Sequence, residues 1–134
     1  MSNAASKLNL IQLRKSLQQA ALPADRQIAR LQGFDVAFEV ADDFDNWCRW
    51  ALNSADTQLT DEQRSLLIEL NNRLNQMSGE HNSDLWTDDA LRSRNEWDEV
   101  RREARCILDS FSWPIEDAEK SEIEVVRVNP SSNT

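Results

Sequence analysis

A chain of 134 residues with a formal net charge of −9 fits a single domain, and that length can bury a core without disulfides or a structural metal. Hydrophobic residues at 40% and charged residues at 29% exclude an intrinsically disordered chain. Two glycines and three prolines are too few for the many tight turns of an all-β or α/β fold, so few, long helices are expected.

The charge is unevenly spread. Residues 1–33 hold five bases against Asp25, a net of +4, whereas residues 34–91 hold thirteen acids against Arg49, Arg64 and Arg73, a net of −10. Residues 92–134 hold ten acids against seven bases, a net of −3. An acidic centre of this size repels nucleic acid and anionic membrane and steers a basic partner toward itself. The plainer alternative is a solubilising surface. No segment approaches the ~18 consecutive apolar residues of a membrane span, and no signal-type apolar run follows Met1, so a cytoplasmic protein is expected. Ser2-Asn3-Ala4 has the composition of a cleaved-tag scar, and residues 1–5 are set aside from the fold. Cys48 and Cys106 both sit in periodic apolar stretches and read as two buried thiols in a reducing compartment.

In chain order, residues 8–21 carry Leu10, Leu13, Leu17 and Ala20 at helical spacing, with Ser6 as the expected N-cap. Leu22-Pro23 interrupts, because a residue before proline avoids the α region. Pro23 then opens a short helix with Ala24, Ile28 and Leu31 inward and Gly33 just past its end. The stretch 34–41 alternates like a strand, yet Val36, Val40, Phe44, Trp47, Cys48 and Ala51 share one helical face. The helical reading explains more residues and extends to about Ser54. Thr60-Asp61-Glu62-Gln63 is a capping box. The helix it starts buries Leu66, Leu67, Leu70, Leu74 and Met77 and ends at Ser78-Gly79. Residues 80–86 read as a polar loop, and Thr87 caps a short helix over 88–92. Ser93-Arg94-Asn95-Glu96 reads as a second capping box, followed by an amphipathic helix on Trp97, Val100, Ala104, Ile107, Leu108 and Phe111 that Trp113-Pro114 ends. Residues 114–134 form an acidic tail with a β-prone run at 123–128, which either packs as extended chain or pairs with 34–40. The expected fold is all-α: an antiparallel bundle of five to six helices with a short extended C-terminal tail.

Catalytic chemistry is hard to find. His81 is the one histidine, in a polar loop, and the chain has no Cys-x-x-Cys or His-x-x-x-His spacing for zinc. The Asp42-Asp43-x-Asp45 run lacks the glycine and terminal glutamate of a calcium loop. Two isolated glycines cannot build a phosphate cradle. Carboxylates are plentiful but sit at caps and on polar faces, where they stay ionised and make poor general acids. Arg101, Arg102 and Arg105 interleave with Glu99, Glu103 and Asp109, which reads as i,i+4 pairing on a solvated face. No catalytic residue, metal ligand or cofactor is therefore expected.

Five tryptophans without one tyrosine is a marked excess. Trp47 and Trp97 fall on core faces, and Trp50 lies at the edge of an apolar stripe. Trp86 stands among Asp84, Asp88 and Asp89, the composition of an interface anchor with a charged rim. The competing reading is a hydrophobic staple in which Leu85 or Trp86 packs onto Leu91.

The turn Met77-Ser78-Gly79-Glu80, the run Leu85-Trp86-Thr87-Asp88-Asp89-Ala90-Leu91, and Glu96-Trp97 followed by Val100-Arg101 and Ala104-Arg105 carry a resemblance. Together they resemble the small all-helical immunity proteins of bacterial polymorphic-toxin loci, including contact-dependent growth inhibition systems. The resemblance covers about residues 59–111 well and the first fifty only loosely. Related chains often place proline just before the position of Glu96, where this chain has Asn95. The resemblance implies a cytoplasmic antitoxin, monomeric before complex formation, that occludes the active site of one cognate toxin C-terminal domain. A basic RNase of the EndoU type is the nuclease class it suggests. Asp42, Asp43, Asp45, Glu80, Asp84, Asp88 and Asp89 are the expected charged contacts and Trp86 the apolar one. A non-catalytic helical adaptor of a larger assembly is the alternative, and a small carboxylate enzyme a more distant one.

Overall fold

The structure is a computed structural model that describes residues 2–55 and 57–116, and these are all-helical. Among them are six α-helices: α1 (Ser2–Ala21), α2 (Ala24–Arg30), α3 (Val36–Asn53), α4 (Asp61–Gln76), α5 (Asp88–Ser93) and α6 (Asn95–Ser110). A 3-10 segment, Glu80–Leu85, lies between α4 and α5. The tail after residue 116, including the 123–128 run, lies outside the described residues, as does any pairing it makes.

The local signals mostly act as their chemistry requires. Pro23 sits at the N-cap of α2 with φ −57°, and its carbonyl accepts from the amides of Arg26 and Gln27. Residues 36–40 are helical and α3 is unbroken past Asp42, because burying Val36, Ala37, Val40 and Phe44 on one face outweighs the strand-like alternation. Thr60 Oγ1 accepts from the Gln63 amide at 3.0 Å while Gln63 Oε1 accepts from the Thr60 amide at 2.9 Å, closing the capping box. Past the end of α4, Gly79 takes φ +109°, and Asn82 Nδ2 donates to the carbonyls of Gln76 and Ser78 at 3.1 Å each.

Five expectations are corrected, four at the helix ends and surfaces and a fifth, Arg101, in the core described next. α1 begins at Ser2, ahead of the Ser6 proposed as its cap. Residues 80–85 wind into 3-10 turns instead of an open loop. No capping box forms at Ser93: its hydroxyl donates back to the Asp89 carbonyl at 2.8 Å, Arg94 becomes the N-cap residue, and Glu96 pairs with Arg94. Cys106 is exposed, because it lies roughly half a turn round α6 from Trp97, on the outer face.

One core unites the described helices. α1 packs on α3 and α6, α4 packs on α6 and α3, and α5 touches α2, α3 and α6. Leu13 and Leu17 of α1 meet Phe44 and Cys48 of α3, Leu67 and Leu70 of α4, and Trp97, Ile107 and Leu108 of α6 in one buried cluster. Arg101 belongs inside this frame and not on a solvated face, since it is only 6% exposed. Its guanidinium donates to the Leu91 carbonyl at 2.9 Å, to Asp98 Oδ1 at 2.9 Å and to Gln27 Oε1 at 3.3 Å. Gln27, itself fully buried, donates onward to the carbonyls of Gln19 and Ala20 near the end of α1. The network satisfies the buried polar groups where α1, α2, α5 and α6 meet.

Candidate functional site: an acidic groove between two helices

Two matched helical stripes form a surface groove. α3 presents Phe38, Ala41, Asp42 and Asp45 along one edge, and α4 with its end presents Asn71, Leu74, Asn75 and Ser78. Each stripe has the i, i+3, i+4, i+7 spacing of a single helical face. The stripes enclose a groove of about 320 Å³, completed by Gly79 and Trp86.

Trp86 is fixed by its surroundings. Its indole N–H donates to the Met77 carbonyl at 2.7 Å, and its ring meets Trp97 edge-on with centroids 5.3 Å apart at 87°. Trp97 in turn donates to the Leu85 carbonyl at 2.7 Å, so the 3-10 segment is pinned to α6 from beneath. Because its N–H is committed, Trp86 offers the groove ring surface and no hydrogen-bond donor.

The groove has no Lys, Arg or His in its lining. Asp42 makes no ion pair among the described residues, whereas Asp45 pairs with Arg49 at 2.9 Å. Arg49 has a side chain 67% exposed, so that pair is screened and readily exchanged. The amides of Asn71 and Asn75 make no side-chain hydrogen bond within the described residues, leaving both donor and acceptor positions open.

The eight expected contact residues are therefore divided. Asp42, Asp45 and Trp86 line the groove, and Glu80 follows directly on its Gly79 wall. Asp43 belongs elsewhere. Although the residue is exposed, local desolvation of its carboxyl and the neighbouring Asp42 charge raise its pKa above the ordinary aspartate value, against the lowering influence of Gln19 of α1. Asp84 pairs with Arg94 at 3.2 Å, and Asp89 with Arg92 at 3.4 Å, while Arg92 also holds Asp25 at 2.9 Å. Asp88 stands exposed in the first turn of α5, where the helix dipole favours it. Four of the lining residues, Phe38, Ala41, Asn71 and Asn75, were not singled out as site residues from the sequence. Their signal was the matching i, i+3, i+4, i+7 spacing of the two stripes.

Among the described residues no group of His, Cys, Asp or Glu could hold a metal ion, and no helix is long and apolar enough to cross a membrane. No protein-family model, curated protein or solved structure matches this chain.

Proposed function

We propose that this protein is an immunity protein, an antitoxin of the bacterial toxin–immunity kind, which binds a cognate toxin domain in the cytoplasm and covers its active site without catalysing a reaction. The observation that carries the reading is the cation-free acidic groove on the face of an acidic chain. A nuclease active site is basic because it must bind phosphates, so a surface of fixed carboxylates around an apolar centre competes for it. Residues 35–45 and 80–89 supply the carboxylates, and the helices that carry them form an antiparallel bundle in this reading. The sequence resemblance supports the same assignment and suggests an RNase as the toxin.

The exposed pair Phe34 and Phe38 favours one rival, a helical adaptor that docks through apolar area. Substitution separates the two. Replacing the groove carboxylates abolishes binding by an immunity protein and spares an adaptor, whereas replacing Phe34, which is exposed and outside the groove lining, weakens binding only by an adaptor.

The test is co-expression with the product of the gene immediately upstream, followed by co-purification and association kinetics over a range of salt. A stable complex whose on-rate falls by about tenfold or more between low and physiological salt, with dissociation little changed, supports the proposal. An on-rate flat in salt removes its electrostatic part, and failure to form a complex contradicts it.

A further inference from the structure

We infer that the α3–α4 groove is a seat for an arginine side chain of the partner protein, with the aliphatic stem on Phe38 and Trp86 and the guanidinium between Asp42 and Asp45. The inference rests on the reading of this surface as one that receives a protein, and it names the chemistry that surface selects.

The argument begins with the groove's hydrogen-bonding inventory. Ionised carboxylates only accept, and Asp42 has no ion-pair partner among the described residues. The Asp45 carboxylate is held only by an exposed arginine on its own helix, which an incoming cation can displace. Trp86, the most obvious donor in the wall, has its N–H bonded to Met77 and so cannot serve an acceptor. With acceptors in excess and no cation in the lining, the groove rejects phosphate and carboxylate ligands and selects a group that carries several donors and no acceptor.

The shape then discriminates between the cationic side chains. A lysine ammonium is a compact, strongly hydrated point charge and would have to shed water beside Ala41, Leu74 and Trp86. A guanidinium is planar and weakly hydrated, spans two carboxylates with its fork of N–H groups, and stacks on an aromatic face. Asp42 and Asp45 stand on one face of α3 at i,i+3, the spacing a bridging group needs. Asn71 and Asn75 face them from α4 with free amide oxygens for the remaining donors.

The experiment uses the full chain, 15N-labelled, and two capped pentapeptides, Leu-Ala-Ala-Arg-Ala and the same peptide with citrulline for arginine. Citrulline keeps the size and planarity of arginine and removes its charge. The inference expects the arginine peptide to shift the amide, side-chain amide and indole resonances of Phe38, Asp42, Asn71, Asn75 and Trp86. The citrulline peptide should bind roughly tenfold more weakly or worse, and so should the arginine peptide on a D42N/D45N chain whose helical circular dichroism is unchanged. An E69Q/D109N chain, which loses the same formal charge at exposed acids away from the groove, should bind as the parent does.

The inference is overturned if the two peptides bind alike, if the shifts map to another face, if E69Q/D109N weakens binding as much as D42N/D45N, or if no shift appears at millimolar peptide. No toxin is present in this experiment. A complex with the upstream product alongside an inert groove would sink the arginine seat alone. Groove shifts without any such complex would sink the immunity reading alone.

Discussion

The two thiols of this chain differ by burial and not by neighbours in sequence. Cys48 is fully buried, its Sγ donates to the Leu67 carbonyl at 3.7 Å, and burial together with the Asp45 charge pushes its pKa up to about 12. Cys106 stands exposed on the outer face of α6. Ellman's reagent should therefore titrate one thiol per native chain and two per chain in denaturant, and reaction of both in the native state would contradict the placement of Cys48. Asp43 supplies a pH-dependent counterpart. An unfolded aspartate titrates near ~3.9 and the folded one higher, so ionising Asp43 costs stability as pH rises through that interval. Asp43→Asn, which keeps a hydrogen-bonding group toward Gln19, should match the parent's stability below about pH 3.9 and exceed it at pH 7. The gain should stay under about 1 kcal/mol, since the carboxylate is largely solvent-screened. Thermal melts at the two pH values check it, and a loss of stability at pH 7 would contradict the account.

At the scale of elements, the short helices α2 and α5 are tied to the rest through Arg101 and Gln27 as well as through apolar area. Arg101→Met keeps an unbranched apolar stem but removes the guanidinium, leaving the Leu91 carbonyl and Gln27 Oε1 without their donor. Asp98 is solvated and tolerates the loss, so the cost is that of orphaned neutral acceptors, about 1–3 kcal/mol. Chemical denaturation should show that decrease, and hydrogen exchange should quicken first in α2 and α5. A neutral R101M would contradict the role given to the network. The elements themselves were legible where a local signal was self-sufficient. The Thr60 capping box, the Pro23 start and the apolar stripe of α3 each depend only on residues within one continuous segment. Arg101 was misread because the pattern Trp97, Val100, Ala104 leaves its position open, and arginine on a helix is ordinarily solvated. Gln27 occupies the same kind of position, between Ala24, Ile28 and Leu31. A polar residue on each of two apolar stripes is the sequence trace of a buried pair, but which two meet depends on tertiary packing. The false capping box at Ser93 failed for a related reason: the serine was already the last residue of α5, and its hydroxyl had a nearer partner.

For the whole molecule, the sequence made the segregation of charge legible but not its geometry. The net of −10 over residues 34–91 locates the acidic region, yet only Asp42 and Asp45 of the seven acids singled out come to line one groove. Asp84 and Asp89 are answered by Arg94 and Arg92, pairs that span the 3-10 segment, α5 and the start of α6. Such internal pairing follows from chain geometry and is invisible in a charge count. The groove was equally hidden, because it needs two stripes from separate helices to face each other with Trp86 held at their end. Once they do, the surface combines a fixed aromatic, an apolar floor and a rim of carboxylates, the makings of a protein-binding surface.

The measurement that bears most directly on this account is a growth assay. The C-terminal domain encoded immediately upstream is expressed alone, with this protein, and with its D42N/D45N variant. The account predicts that the domain arrests growth, that this protein restores it, and that the variant, although folded, restores it poorly. A harmless neighbour, or arrest that this protein does not relieve, would contradict it.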